Sequence, residues 1–219
     1  MNKKFNGFTL AETLMTLVII GVIAAITIPN LKKQADAQQT IAGLKKAYST
    51  LSNVINMSEN ENSYLKSWNF NLSSEDFYKT YLTDYFNVIS ECSSLSSACF
   101  GDGIKYANGN DFSGTSAYSF ILADGSRVIL LNQKAHAHFL YDINGNKKPN
   151  KVGMDVFVFT LTPRAFSEEG THNVPEPGLY PFGAGLSRNE MLTQCKGQGD
   201  ACTGLIISDN YQIKSDFPW

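Results

Sequence analysis

An apolar run extends from residue 8 to residue 28, interrupted by Glu12, Gly21 and a few hydroxyl side chains. As a helix at ~1.5 Å per residue it spans ~31 Å, about one bilayer hydrocarbon core, so it is expected to cross a membrane. After Pro29 the pattern changes. Ala37, Ile41, Leu44, Tyr48, Leu51 and Ile55 recur at spacings of four and three, while Lys32, Lys33, Asp36, Gln38, Gln39, Lys45 and Lys46 fall mostly elsewhere. This predicts an amphipathic continuation of the helix, with one stripe turned to a core and an end at 58–62.

Ser73-Ser74-Glu75-Asp76 reads as the cap of a short helix whose Phe77, Tyr78, Tyr81, Leu82 and Tyr85 share a face. The period then shortens. Segments 118–123 and 127–131 flank Asp124-Gly125, a two-residue hairpin signal, and 139–142 with 156–161 suggest a second strand pair around a longer loop. Residues 205–207 are expected to add a short strand, and 86–117 and 162–204 to be irregular excursions. The pattern predicts an α+β fold: a long N-terminal helix, half membrane-spanning and half amphipathic, packed on an antiparallel sheet of about four strands. There is no internal repeat of the solenoid kind.

Length allows one soluble domain of roughly 160 residues beyond the apolar helix. The chain has 18 Lys+Arg, 20 Asp+Glu and a net charge of −2, with no basic stripe, which argues against a nucleic-acid partner. Within the apolar run Glu12 is the anomaly. A carboxylate in a membrane helix costs ~2.5–3.5 kcal/mol at mid-helix and less near the interface, so it calls for compensation. A signal-anchor whose Glu12 snorkels to the headgroups is one reading, and a secretory signal peptide cleaved after Val22-Ile23-Ala24 is another, although a charge inside the apolar region is wrong for the latter.

Ahead of the run lies a short basic leader carrying Lys3 and Lys4 and ending in Gly7, followed by Phe8-Thr9-Leu10-Ala11-Glu12. On these residues, with Gly21 and Pro29 at positions where such proteins often carry Gly and Pro, the N-terminus resembles that of type IV pilins and type II secretion pseudopilins. The resemblance covers about the first 35 residues. It implies cleavage by a prepilin peptidase between Gly7 and Phe8, N-methylation of Phe8, and pairing of Glu12 with the Phe8 amine of a neighbouring subunit. Gly21 and Pro29 would mark a stretch able to lose helicity on assembly. Cleavage would remove Lys3 and Lys4, taking Lys+Arg from 18 to 16 against 20 acidic residues, and the net charge from −2 to −4. The implied organisation is a leader at 1–7, an assembly helix at 8–29, its amphipathic continuation at 30–60 and a globular head at 61–219.

The implied protein is a bacterial inner-membrane, single-pass precursor with a periplasmic or extracellular head. It would join a homo- or hetero-oligomeric filament through an inner-membrane platform and an assembly ATPase. A minor pilin whose head binds a surface, DNA or a secreted substrate is the alternative, with the two excursions as its surface. A signal-anchored enzyme has less support, because no nucleophile elbow, phosphate loop or dinucleotide fingerprint is present.

Four cysteines form two pairs of identical spacing, Cys92 with Cys99 and Cys195 with Cys202. In an exported head this suggests two local disulfide loops; three connectivities are open, and a bridge between the regions is the main alternative. The spacing is wider than zinc sites use. His136 and His138 alternate and would share a face as solvated residues or a two-histidine metal pair, with His172 the third histidine. Asp142, Asn144 and Asn146, followed by Asp155, present oxygen ligands suited to calcium, though Gly145 and Gly153 depart from an EF-hand. Some major pseudopilins hold calcium in a loop between late strands. The other reading of Asn144-Gly145 is a metal-free turn.

Overall fold

The computed structural model describes residues 7, 9–92, 97–100, 103–114, 116–145, 147–168 and 172–219. Phe8 and Asn146 lie outside the described residues. The chain divides into two units, 1–39 and 40–219.

Helix α1 covers Leu10–Asn62 and includes Pro29. In the first unit its apolar side chains are exposed on every side, with Leu14 at 55%, Ile20 at 62% and Ile28 at 61%. A helix that is apolar all round needs a non-aqueous surround. Among the described residues it is the one helix long and apolar enough to cross a membrane. Thr13 donates its hydroxyl to the Thr9 carbonyl, Thr16 to Thr13 and Thr27 to Ile23, so these polar atoms are satisfied within the helix.

In the second unit α1 buries Ile41, Leu44, Ala47, Leu51, Val54, Ile55 and Ser58, one face at helical spacing. Gly43 lies on this stretch, and a Cβ there would meet Ile143 Cδ1 at 2.7 Å, so the close approach of helix to loop requires glycine.

The sheet has six antiparallel strands, where the pattern led to an expectation of about four. They are β1 (Val88–Cys92), β2 (Tyr118–Leu122), β3 (Arg127–Asn132), β4 (Ala137–Asp142), β5 (Val156–Thr162) and β8 (Gly178–Pro181), in that spatial order. β6 (Phe166–Glu168) and β7 (His172–Val174) form a separate ribbon between β5 and β8. The two additional sheet strands are the edges, and both come from stretches expected to be irregular. The β2–β3 connection also differs: Gly125 alone has positive φ, and Leu122 NH bonds Ser126 O while Gly125 NH bonds Leu122 O. That is a three-residue loop with a left-handed glycine.

Both sheet faces are buried, which explains the nearly unbroken apolar strands. Val128, Leu130, Phe139, Tyr141, Phe157 and Phe159 share a core with Leu44, Leu51 and Ile55 of α1, and Tyr48 stacks on Phe159 with centroids 5.9 Å apart. The alternate residues Ile129, Leu140, Val156 and Val158 face a second core with Phe100, Ile104 and Val152.

The remaining helices are α2 (Ser74–Tyr81), α3 (Ser97–Phe100), α4 (Arg188–Gly197) and α5 (Cys202–Ser208). α2 begins as expected, the Ser73 hydroxyl accepting from Asp76 NH at 3.0 Å. α4 opens with a Ser187–Glu190 capping box. Residues 205–207 are helical, not a strand: Leu205 and Ile206 face the first core, and Thr203 Oγ1 accepts from the Val158 NH at 2.9 Å.

Candidate functional site

The N-terminal segment joins an exposed Gly7 to the start of α1. Thr9 and Glu12 form a capping arrangement there. Glu12 Oε2 accepts from the Thr9 NH and hydroxyl, both at 2.9 Å, and Glu12 NH bonds Thr9 Oγ1 at 3.3 Å. Thr-Leu-Ala-Glu is thus a Thr-x-x-Glu box, a local compensation for Glu12 that the sequence itself carries. Within the chain the carboxylate already satisfies helix donors, while its side chain stays exposed. Gly21 has nothing within 4 Å of where a Cβ would stand, so no packing within the chain demands glycine there.

The turn after β4 gathers Asp142, Asn144 and Asp155. Asp142 Oδ1 accepts from Asn144 NH at 3.0 Å and Gly145 NH at 2.9 Å. Asp155 accepts from Lys151 NH at 2.7 Å, Asn150 NH at 2.9 Å and the Asn144 amide at 3.1 Å. Asp142 is fully buried and Asp155 is 3% exposed. Burial pushes the Asp142 carboxyl up to about 7, with the Asp155 charge adding to it and backbone donors and Arg127 opposing. Burial also raises Asp155, against its backbone donors.

Three oxygens here are buried without hydrogen-bond donors: Asp142 Oδ2, Asn144 Oδ1 and Asn150 Oδ1. Uncompensated buried acceptors next to two carboxylates fit a hard cation in chemistry. Asn150 joins the set and was missed because it precedes Asp155 by five residues in no known motif. Among the described residues no group of three or more His, Cys, Asp or Glu is placed to hold a metal, so any cation here would rely on amide and carbonyl oxygens beside the Asp142 carboxylate.

The cysteines pair locally, Cys92 with Cys99 at an S–S distance of 2.06 Å and Cys195 with Cys202 at 1.96 Å. The first bridge starts at Cys92, the last residue of β1. The second joins α4 to the first residue of α5.

Family comparison places residues 30–219 in a single match to a family of unknown function, DUF6613. The chain belongs to that family. Residues 2–28 of this DUF6613 member match the prokaryotic N-terminal methylation motif. It is also similar to the type II secretion system core protein G of Escherichia coli (strain K12), 35% identical over 74 residues, which are 32% of this chain and 48% of the relative. The corresponding protein of Dickeya chrysanthemi is 38% identical over 47 residues, 20% of this chain and 31% of the relative. The matches thus span half or less of these relatives' length. No solved structure matches. The long apolar helix and antiparallel sheet are a pilin-like α+β architecture.

The three histidines of this DUF6613 chain are not a solvated face. His136, just before β4, is 7% exposed and His172, on β7, is 1% exposed. They form a relay: His136 Nε2 to His138 Nε2 at 3.0 Å, His138 Nδ1 to Thr160 Oγ1 at 3.0 Å, and Thr160 Oγ1 to His172 Nε2 at 2.7 Å. Burial, then the neighbouring His136 and His172, hold His138 down to about 3. His172 reaches the pair through the β6–β7 ribbon, which nothing in its local sequence announces.

Proposed function

We propose that this protein is a filament subunit of a type II secretion pseudopilus or a type IV pilus-like fibre. A prepilin peptidase cuts after Gly7, Phe8 is methylated, and the helix starting at 8 is the polymerisation element. The observation that carries this reading is a helix exposed and apolar on every side behind a methylation motif. In water such a surface is unsustainable; in a membrane, and then against other copies, it is buried. Gly21, which no contact within the chain requires, and Pro29 suit a stretch that loosens when helices bundle. The partners are other filament subunits, the peptidase, an inner-membrane platform and an assembly ATPase.

Calcium at the β4–β5 turn belongs to the same reading. Asp142 Oδ2 and the Asn144 and Asn150 side-chain oxygens would hold the ion, with Asp155 neutralising it and Asn146 a further amide oxygen in sequence. Bound there, the ion would compensate buried charge and fix the turn.

The test is co-expression with an intact assembly machinery, followed by immunogold microscopy of isolated fibres. The reading expects this chain along the fibres. Quantitative retention in the membrane fraction, with no fibre bearing the protein, would contradict it.

A further inference from the structure

A cavity of about 460 Å³ opens between the 103–114 loop, strands β3–β5 and the turn joining α4 to α5. Its size falls in the range of small-ligand sites, ~300–1,000 Å³. Tyr106, Phe112 and Phe182 contribute aromatic rings, and Asp200 is the one charged residue among those lining it. Tyr106 and Phe112 meet edge to face at 5.4 Å.

Asp200 is fixed in place without being neutralised. Its turn is tied by the Cys195–Cys202 bridge and by Ala107 NH donating to Gln198 O at 2.8 Å. Gly199, with φ +95°, lets the turn approach so closely that a Cβ would sit 2.3 Å from Val152 O. Yet among the described residues no donor or cation meets the Asp200 carboxylate, and burial alone raises its pKa to about 6. Its charge is felt by Tyr106, whose phenol is raised by burial and then by Asp200. The other titratable wall residue, His138, is neutral and has both ring nitrogens engaged.

Asn132 commits its amide NH₂ to the carbonyls of Phe70 and Leu72 at 3.0 and 2.8 Å, and its Oδ1 is buried out of reach of the cavity. The wall therefore offers one negative charge and aromatic faces. A hard metal ion would find one carboxylate where it needs six to eight oxygens. A nitrogen cation meets both features at once, since it donates hydrogen bonds to a carboxylate and is attracted to ring faces.

We propose that this cavity is a binding site for an alkylammonium or guanidinium group, held by Asp200 against the Tyr106, Phe112 and Phe182 rings. The site does not depend on the filament reading. The group can arrive as a free amine or as a Lys or Arg side chain of a peptide.

The experiment uses the full chain in a non-ionic detergent, titrated with methylguanidinium and n-butylammonium and followed by saturation-transfer NMR and calorimetry. Saturable binding is expected for both cations and not for 1-butanol, with Asp200→Asn weakening it about tenfold or more. Capped Ala-Arg-Ala and Ala-Lys-Ala distinguish the sources: tighter binding of the peptides assigns the site to a side chain, and equal binding to a free amine. Equal affinity of wild type and Asp200→Asn, or no saturable binding of either cation, would overturn the proposal. If Asp200→Asn does not fold, wild type serves, because affinity must fall as acidification through about pH 6 protonates the carboxyl. Unchanged affinity between about pH 7.5 and about pH 5 would overturn it equally.

Discussion

Arg188 shows how single residues fasten the C-terminal part of the head. Its guanidinium bonds Asp209 through Nε and Nη2 at 2.8 Å each and Asp216 through Nη1 at 2.7 Å, and Lys214 joins Asp209 as well. Asp209 has a side chain only 4% exposed and is held below the ordinary carboxylate range, first by the Arg188 bond; Asp216 is lowered by the same guanidinium. Both folded pKa values lie beneath the unfolded ones, so this stabilisation is present above the ordinary value of 3.8 and is lost as pH falls through the lower folded values. Arg188→Ala is expected to destabilise the fold near neutral pH, and less at low pH, in urea melts. An equal cost at about pH 7 and about pH 2 would refute it. Gly145 is a second fixed point, because its φ is +67° and a Cβ would stand 2.4 Å from Gly125 O. Gly145→Ala should destabilise the head by about 1–3 kcal/mol in the same assay. The Ser73 cap and the Asp142 turn were readable because their partners lie two or three residues away. Arg188 with Asp209 and Asp216, the three histidines and Asp200 were not, because distant segments bring their surroundings together.

At the scale of elements, α1 was legible from period alone, and its buried face follows the 3.6 repeat from Ile41 to Ser58. The edge strands were not. β1 has a mostly exposed Val-Ile-Ser-Glu-Cys with no alternation, and β8 is four half-buried residues, so neither carries a core pattern. α5 was misread because Leu205-Ile206-Ile207 is a short apolar run, which periodicity cannot assign, and its helix is set by tertiary burial and the bridge at Cys202. Two roles of Glu12 separate by substitution. Glu12→Gln keeps an acceptor for the Thr9 cap and removes the charge, while Glu12→Ala removes both. If charge pairing between subunits drives assembly, both variants insert into the membrane and both lose fibre incorporation. Normal incorporation of Glu12→Gln beside a defect in Glu12→Ala would reduce Glu12 to a helix cap. For the bridges, non-reducing peptide mapping should return Cys92–Cys99 and Cys195–Cys202, and a cross-linked peptide such as Cys92–Cys202 would refute the local pairing.

For the whole molecule, burial of Asp142 and Asp155 with three donorless oxygens means that a cation bound at the β4–β5 turn stabilises the folded chain by RT ln(1 + [L]/Kd). The detergent-solubilised protein should melt higher in millimolar calcium than in chelator, and Asp142→Asn, which keeps the Oδ1 acceptor but removes the charge, should erase the difference. Identical melting in calcium and chelator would leave an ordinary turn. Neither outcome bears on polymerisation, which rests on the N-terminus. The central claim is that the chain is delivered as a precursor, cut and methylated before its helix enters a fibre. Intact-mass and N-terminal peptide mass spectrometry of the membrane-extracted protein, from a host with an active prepilin peptidase, tests it most directly. The account predicts a chain beginning at methylated Phe8 with residues 1–7 absent; a terminus at Met1, or one created by cleavage after Ala24, would contradict it.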